Sequence, residues 1–167
     1  MKIVTYVEEL HLPELSAIAH RMRNSERAYP PREDCGESLP EVEDWLRKSE
    51  ALFRWVAIQE DKVVGHISLQ HPEVYLRAFI ESCGIIGGHF EISKFFVSPD
   101  CRKSGAGRLL FAHAVKSSST PSALAVLDGS HAARTFYSHH GMEELGIYHG
   151  RSGVNHIFVD KQPVGLD

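Results

Sequence analysis

The sequence predicts a mixed α/β fold in one domain. Three observations indicate this: short β-prone segments alternate with helical periodicity, one pair of β-prone segments has the spacing of a hairpin, and no stretch has the composition of a linker. A chain of 167 residues is long enough to bury about two-thirds of its unfolded surface around a single core. We therefore expect residues 1–167 to form a single domain.

The first half of the chain predicts a strand, two helices and a hairpin. A β-prone segment at 3–7 precedes a helix, and a turn-rich segment at 24–40 separates that helix from a shorter one. Residues 53–59 and 63–70 flank a short polar connection and predict two antiparallel strands. The apolar positions of the two helices recur at helical spacing: Leu12, Leu15, Ile18, Ala19 and Met22 in the first, and Val42, Trp45 and Leu46 in the second.

The second half predicts strands and helices in alternation. The strand at 89–97 is apolar on both faces near its end, which is typical of a central strand. Ser130 is predicted to be the N-cap of the next helix, and Gly141 the residue just beyond its C-terminus. The remaining elements are a short helix at 73–81, a helix at 104–116 with Ala106, Leu109, Leu110, His113 and Ala114 on one face, and strands at 123–127, 143–148 and 155–160.

Composition excludes several classes of protein. The net charge of −4 lacks the positive excess that binding to a nucleic-acid backbone requires. Three cysteines without paired spacing, Cys35, Cys83 and Cys101, are expected to be reduced thiols. The N-terminus turns acidic before any apolar core of a signal peptide, and no run approaches membrane-spanning length. We expect a cytoplasmic protein without a nucleic-acid or membrane partner.

A glycine-containing turn is the most informative segment. Gly105 and Gly107 lie between the strand that ends at Val97 and the next helix, with Arg102 and Lys103 just before them. The first turn of a helix has N–H groups without intrahelical acceptors, and the helix dipole adds positive potential there. Glycine lets the backbone approach an anion that a Cβ would keep away. This turn is therefore predicted to bind phosphate.

Spacing separates three interpretations of this turn. A Walker loop requires Lys and then Ser or Thr directly after its last glycine, whereas Arg108 and Leu109 follow here. A dinucleotide fingerprint requires a third glycine where Leu110 stands and a strand that runs straight into the first glycine. Asp128 does lie about where the ribose-binding acid of that fingerprint belongs.

The third interpretation is based on a family resemblance. The pattern Arg102-x-x-Gly105-x-Gly107, with Val-x-Pro at 97–99 before it, resembles the acetyl-CoA signature of the GNAT superfamily of N-acetyltransferases. One strand later, Ala-x-x-Phe-Tyr-x-x-x-Gly at 133–141 resembles a second block of that family. The resemblance is sharp over residues 91–142, and elsewhere it lies in the order of the elements.

The resemblance implies a strongly twisted, mostly antiparallel sheet of about six to seven strands with helices on both faces, in which two strands splay apart to admit pantetheine. It implies acetyl-CoA as the co-substrate. Backbone groups of Phe96 and Val97 would meet the pantetheine. Ala133 belongs to the second block, and Ser130 stands where the family often has an asparagine that reaches the cofactor. The pyrophosphate would be enclosed by Arg102, Lys103, Ser104, Gly105, Ala106, Gly107 and Arg108.

Acyl transfer to an amine needs a base and an acid. An ammonium group has no lone pair, so a base or a water chain must first remove a proton. Glu91 is the candidate base, since by strand alternation it shares a face with Phe95 and Val97, and His89 is the alternative. The resemblance implies that Tyr137 protonates the departing thiolate, although aromatic residues on a helix often serve the core. A backbone N–H near Val97 would stabilise the oxyanion.

Two other chemistries fit the sequence less well. Cys101 would suggest a covalent acyl-enzyme, but nothing indicates an activating histidine beside it, so direct transfer is expected. The 11 histidines include no His-x-x-x-His pair, and adjacent His139 and His140 do not share a helix face. We expect no catalytic metal.

The acceptor is not named by the sequence. The resemblance puts the acceptor pocket at 25–39 and 75–81, where Tyr29 and Trp45 would be apolar walls or core. Acidic residues there would attract a cationic amine or form a solvated surface: Glu26, Glu33, Asp34 and Glu37. Two functions stay open, an N-acetyltransferase acting on a small-molecule or peptide amine, and a CoA-binding sensor without turnover. An exposed C-terminal strand would permit a homodimer.

Overall fold

The computed structural model describes residues 1–25, 29–150 and 153–160. It contains a seven-stranded sheet with the strand order β1-β2-β3-β4-β5-β7-β6. The strands are β1 (Lys2–Thr5), β2 (Phe53–Gln59), β3 (Lys62–Gln70), β4 (Phe90–Val97), β5 (Ser122–Leu127), β6 (Met142–Gly150) and β7 (Gly153–Asp160). The helices are α1 (Glu8–Arg23), α2 (Arg32–Cys35), α3 (Leu39–Arg47), α4 (Val74–Ser82), α5 (Ala106–Ser117) and α6 (His131–His139).

The sheet is mostly antiparallel, as expected. The pairs β1–β2, β2–β3, β5–β7 and β6–β7 run antiparallel, whereas β4 and β5 run parallel. The parallel ladder comprises two residue pairs, Phe90 with Ser122 and Glu91 with Ala123. The last strand, β7, lies between β5 and β6, so the expectation that it is an exposed edge is wrong. Its position follows from the β6–β7 hairpin, which folds back so that β7 pairs on both sides.

Two compact units make up the chain. The first comprises Met1–Gln70 and Ile92–Ser117, and the second comprises His71–Glu91 and the described part of Ser118–Asp167. The expected extent of a single domain, 1–167, includes residues outside the described ranges and stays a prediction. All three cysteines are free, Cys35 buried and Cys83 exposed. Among the described residues, no helix combines the length and the apolar character that a membrane crossing requires.

In the first unit, helices cover both faces of the strands. The apolar stripe predicted for α1 is buried, and it packs with α3 against Val56, Ile58 and Phe96. On the other face, α5 contacts β2 and β3, and the ring of Phe111 stacks on Phe95 at 6.4 Å. Neighbouring strand residues point to opposite faces, which is why Phe95 and Phe96 reach different helices.

Local signals set most element boundaries in the first unit. The β2–β3 hairpin turns at Glu60 and Asp61, whose φ angles of +50° and +59° suit the two-residue turns that match strand twist. Ser38 begins α3 in a capping box with Glu41. The face predicted for α5 is partly wrong, because Leu109 is 41% exposed whereas Phe111 is buried. The short helix α2 was not predicted.

In the second unit, α4 packs on the sheet through its aromatic residues. Tyr75 stacks on Tyr148 at 4.8 Å, and both lie against a core that contains Ala123 and Ile157. A Cβ at Gly146 would meet the Phe79 ring at 3.3 Å, so a glycine allows this helix to approach the strand closely. The helix predicted at 73–81 is thus confirmed within one residue.

Candidate active site

The predicted phosphate turn follows β4 in the first unit. Ser98 is buried, and its N–H donates to Val64 O at 2.7 Å, which fixes the end of β4 to β3. A single 3-10 turn, Pro99–Cys101, comes next. The N–H groups of Cys101 and Ser104 donate back to Ser98 O at 2.9 Å and Cys101 O at 3.3 Å. The main chain therefore turns tightly before α5 begins.

Two residues of this turn have left-handed backbone conformations, Lys103 with φ +63° and Gly105 with φ +89°. Glycine adopts this conformation without the penalty that a side chain brings. A Cβ built on Gly105 would meet nothing within 4 Å. The backbone at Gly105 therefore has open space beside it, and a bound anion would be able to approach it.

The first turn of α5 offers main-chain donors. Leu109 N–H donates to Gly105 O at 3.0 Å and is the first amide of the helix to find its acceptor four residues back. The amide of Ala106 donates to Ser104 Oγ at 3.4 Å. Helix geometry leaves the amides of Gly107 and Arg108 without an intrahelical acceptor. These two N–H groups and the helix dipole favour an anion at this position.

The turn and the start of α5 contain three exposed cationic residues, Arg102, Lys103 and Arg108. Among residues 1–25, 29–150 and 153–160, none of the three is within ion-pair distance of a carboxylate. The acid of this segment, Asp100, is already paired with Arg21 at 3.0 Å. The turn therefore has a local positive excess in a chain whose net charge is −4.

The strand before the turn contains a local break. Lys94 has φ +47°, a left-handed conformation within β4. The alternation predicted from Glu91 to Val97 is interrupted there, because a left-handed residue disturbs the two-residue pleat. Phe96 is buried, and Val97 is half-buried. Beyond the break, alternation resumes: Phe95 packs toward α5, and Phe96 packs toward α1 and α3.

The candidate base Glu91 lies in the second unit. Its side chain is buried, and Oε2 accepts a hydrogen bond from Glu73 N–H at 2.9 Å, at the N-cap of α4. Glu91 thus has a structural partner as well as its proposed role. The alternative base, His89, is also buried. Its Nδ1 lies 3.3 Å from Gly87 O, and its Nε2 has no hydrogen-bond partner among the described residues.

The second predicted block forms α6. Tyr137 is 8% exposed, and its ring contacts those of Phe136 and Phe158. Ser130 is at the N-cap position, where its carbonyl accepts from Ala133 N–H at 3.0 Å. The Ser130 hydroxyl makes no capping hydrogen bond. Gly141 has φ +88°, as its place beyond the helix end predicts.

The acidic residues predicted to attract an amine are partly engaged in other contacts. Glu37 pairs with Arg23 at 3.7 Å. Burial raises the pKa of Asp34, with nearby Glu33 adding to the effect and Lys94 opposing it. Glu26 lies outside the described residues. Tyr29 and Trp45 pack at the edge of the core between the helices and the sheet.

Two polar clusters were missed by sequence reasoning. In the first unit, fully buried His66 contacts the β4 main chain. In the second unit, His156 lies 2.5 Å from Glu144 Oε1 and 2.7 Å from Asp128 Oδ1. Hydrogen bonds to Glu144 and then Asp128 raise the pKa of His156. A histidine in a buried strand pattern was the available signal in both cases.

The predicted residues thus fall into two groups. Phe96, Val97 and 102–108 form a continuous segment of the first unit. Glu91, Ser130, Ala133 and Tyr137 belong to the second unit. In each unit, the residues occupy the elements that the sequence predicted for them.

Comparisons with known proteins place this arrangement in a family. The family model described as "Acetyltransferase (GNAT) family" matches residues 19–142. A search of curated proteins found no match.

Solved structures share the fold. The ribosomal-protein-alanine N-acetyltransferase of Brucella melitensis has 22% identity and a TM-score of 0.67, covering 97% of this chain and 100% of that one. A histone acetyltransferase HPA2-related protein from Corynebacterium glutamicum has 13% identity and a TM-score of 0.71, covering 99% and 98%. An aminoglycoside 6'-N-acetyltransferase complexed with coenzyme A has 17% identity and a TM-score of 0.66, covering 98% and 99%. With its family model spanning most of its length, the chain belongs to the GNAT acetyltransferase family.

Proposed function

We propose that this chain is an acetyl-CoA-dependent N-acetyltransferase that transfers acetyl directly to a primary amine of a small molecule or peptide. One observation carries the proposal. The turn before α5 combines left-handed Gly105, open space beside it, and the first-turn amides of Gly107 and Arg108. Such a turn suits a pyrophosphate group, and the family to which the chain belongs uses acetyl-CoA.

In this proposal, most contacts to the co-substrate come from one continuous segment. The main chain of Phe96 and Val97 bonds the pantetheine amides, and the turn at 102–108 holds the pyrophosphate. The positive charges of Arg102, Lys103 and Arg108 act together with the main-chain donors. They strengthen binding most at low ionic strength, because salt screens exposed charges. Ser130 and Ala133 contribute from α6. The Ser130 hydroxyl makes no capping hydrogen bond. Serine is a shorter replacement for the asparagine that is common in the family.

The proposed chemistry follows from proton balance. Glu91, His89 or a water chain removes one proton from the acceptor ammonium, and the amine nitrogen attacks the thioester carbonyl. A main-chain N–H near Val97 stabilises the resulting oxyanion. The C–S bond then breaks, and Tyr137 donates its phenolic proton to the departing thiolate. A proton from the attacking nitrogen restores Tyr137 through solvent.

The names of the structural neighbours support an amine acceptor, but they include both small-molecule and protein acceptors. Two are named for acetylating aminoglycosides and one for ribosomal-protein alanine in Brucella melitensis. All have at most 22% identity, so their substrates are not transferred to this chain. The acidic residues Glu33, Asp34 and Glu37 favour a cationic acceptor, with part of their charge offset by Arg23 and Lys94.

Thiol release with a panel of amines tests the proposal. We expect acetyl-CoA to raise the melting temperature and at least one amine to release free CoA. Tyr137→Phe should lower kcat about a hundredfold, the scale of a lost general acid. Tyr148→Phe is the matched control, because it removes a phenolic hydroxyl from the aromatic pair with Tyr75. Equal kcat in the Tyr137 variant and the wild type would remove Tyr137 from the mechanism.

A CoA-binding sensor without turnover is the second candidate. Two observations favour it. Ser130, whose hydroxyl makes no capping hydrogen bond, stands in place of the family's asparagine, and the Glu91 carboxylate accepts a hydrogen bond from Glu73 N–H. A sensor would be stabilised by acetyl-CoA and would release no thiol with any amine. No stabilisation by any acyl-CoA would refute both candidates.

A further inference from the structure

The left-handed conformation of Lys94 marks a kink in the middle of β4. In the part of the chain that the structure describes, three other non-glycine residues have positive φ angles, and all of them lie in turns: Glu60, Asp61 and Lys103. A left-handed conformation costs a side-chain-bearing residue about 1–2 kcal/mol. Such a conformation persists within a strand only where the surrounding structure holds it.

Two side chains from β3 bond the main chain at this kink. Ser68 Oγ–H donates to Ser93 O at 2.7 Å, and the His66 Nδ1–H donates to Lys94 O at 2.7 Å. Both Ser68 and His66 are fully buried, with 0% exposure. Two consecutive carbonyls of β4 are therefore satisfied by side chains of the neighbouring strand.

The surroundings of His66 fix its tautomer. Arg54 Nε–H donates to His66 Nε2 at 3.2 Å, so the single proton of the neutral ring belongs on Nδ1. Burial lowers the pKa of His66 to about 3, which keeps the ring neutral near pH 7. The Arg54 guanidinium in turn lies over the Tyr6 ring at 3.7 Å. His66 is therefore a fixed donor to Lys94 O and unsuited to accept a proton.

The side chain of Lys94 bonds a third element, α3. Its ammonium donates to Trp45 O and lies 4.7 Å from the centre of the Trp45 ring. Trp45 is in the last turn of α3, where helix carbonyls lack intrahelical donors. The main chain at the kink thus accepts hydrogen bonds from β3, and the Lys94 side chain donates one to α3.

This arrangement costs more free energy than a regular pairing of the two strands would. Burying an imidazole, a hydroxyl and a guanidinium costs free energy even when they are hydrogen-bonded. A regular ladder between two strands would satisfy the same carbonyls with main-chain N–H groups and apolar side chains. The residues that the kink redirects are Phe95–Val97, and two of them, Phe96 and Val97, were assigned above to the pantetheine.

We propose that His66 and Ser68 are positioning residues for acyl transfer, which hold the Lys94 kink and thereby aim the main-chain N–H groups of Phe95–Val97 at the thioester. This inference rests on the proposed function. It assigns neither residue a contact with the substrate. It predicts that loss of either donor slows the chemical step more than it weakens acetyl-CoA binding, because the phosphate turn is left intact.

The test compares variants that remove or keep each donor. His66→Leu and Ser68→Ala remove a donor, whereas His66→Asn keeps an N–H at the position of Nδ1. We expect kcat to fall about tenfold to a hundredfold in the first two, the scale of a small misplacement in an active site. The Kd for CoA, measured by calorimetry, should rise by a smaller factor than kcat falls, and His66→Asn should recover most of kcat.

Several outcomes would overturn the inference. Among them are wild-type kcat in folded His66→Leu and Ser68→Ala, equal losses in His66→Asn and His66→Leu, and a rise in KM without a fall in kcat. If His66→Leu does not fold, Ser68→Ala and His66→Asn still decide the question. If the wild type shows no turnover, the proposed function fails. In that case, the amide NMR chemical shifts of Phe95 and Phe96 in Ser68→Ala decide whether Ser68 holds the kink, since unchanged shifts would refute this.

Discussion

Gly65 lies in β3 close to the main chain of β4, and replacing it with alanine tests the packing beside Phe96 and Val97. A Cβ at this position would meet Phe96 O at 2.9 Å, Leu110 Cδ1 at 3.1 Å and Val97 Cγ2 at 3.2 Å. The nearest atom is a main-chain oxygen, which cannot turn aside as the end of a side chain can. Gly65→Ala must therefore shift β3, β4 or both.

The size of the effect follows from two opposing contributions. Overpacking a tight site costs about 1–3 kcal/mol. Replacing a strand glycine with alanine recovers about 0.5–1 kcal/mol of backbone entropy. The net loss is about 1 kcal/mol, which corresponds to a fall of about 3 °C in melting temperature for a chain of this size. Because the new methyl group would press against Phe96 O and Val97 Cγ2, the KM for acetyl-CoA should rise as well.

Thermal unfolding and steady-state kinetics provide the measurement. Gly88→Ala is the matched control, because its Cβ would meet only Thr120 Cγ2, at the ordinary contact distance of 3.7 Å. We expect Gly88→Ala to melt at or slightly above the wild-type temperature. A Gly65→Ala protein that melts at or above the wild-type temperature would show that the strands have room for a methyl group, and the reasoning would fail.

Two further predictions concern the phosphate turn and the buried histidine of β7. Gly105→Ala should raise the KM for acetyl-CoA severalfold and cost about 1 kcal/mol of stability, because φ is +89° there. His156 has a raised pKa, caused first by Glu144 and then by Asp128. Its stabilisation is therefore complete below the unfolded pKa of about 6.5 and is lost as the pH rises through the folded pKa. The difference in melting temperature between the wild type and His156→Asn should be larger at pH 6 than at pH 9.

Each of these two predictions has a clear contrary result. An unchanged KM for acetyl-CoA in Gly105→Ala would mean that the turn does not take part in cofactor binding, whatever the stability of the variant. A melting-temperature difference for His156→Asn that is constant from pH 6 to pH 9 would mean that the two carboxylates do not hold the ring in its charged form.

Local patterns predicted the elements that present the site. The left-handed Gly105, the apolar stripe of α1 and Gly141 after α6 all depend on preferences of a few consecutive residues, and the structure confirms these local conformations. Phosphate binding by the turn stays a prediction. Periodicity was less reliable for α5, where Leu109 was assigned to the buried face and is exposed. On a helix, residues at the boundary of the apolar stripe depend on the shape of the neighbouring sheet.

The motifs of the sequence indicated the family by resemblance. By itself the sequence also determined the order of the elements other than α2 and the turn that suits a phosphate. It did so because backbone conformation at glycine and the period of apolar residues are local properties. Only the tertiary structure decided where β4 is kinked and what holds it. His66 and Lys94 are 28 residues apart in the chain, and Ser68 and Ser93 are 25 apart. Hydrogen bonds across such separations depend on strand register and on which face each side chain occupies, and no short sequence pattern records either.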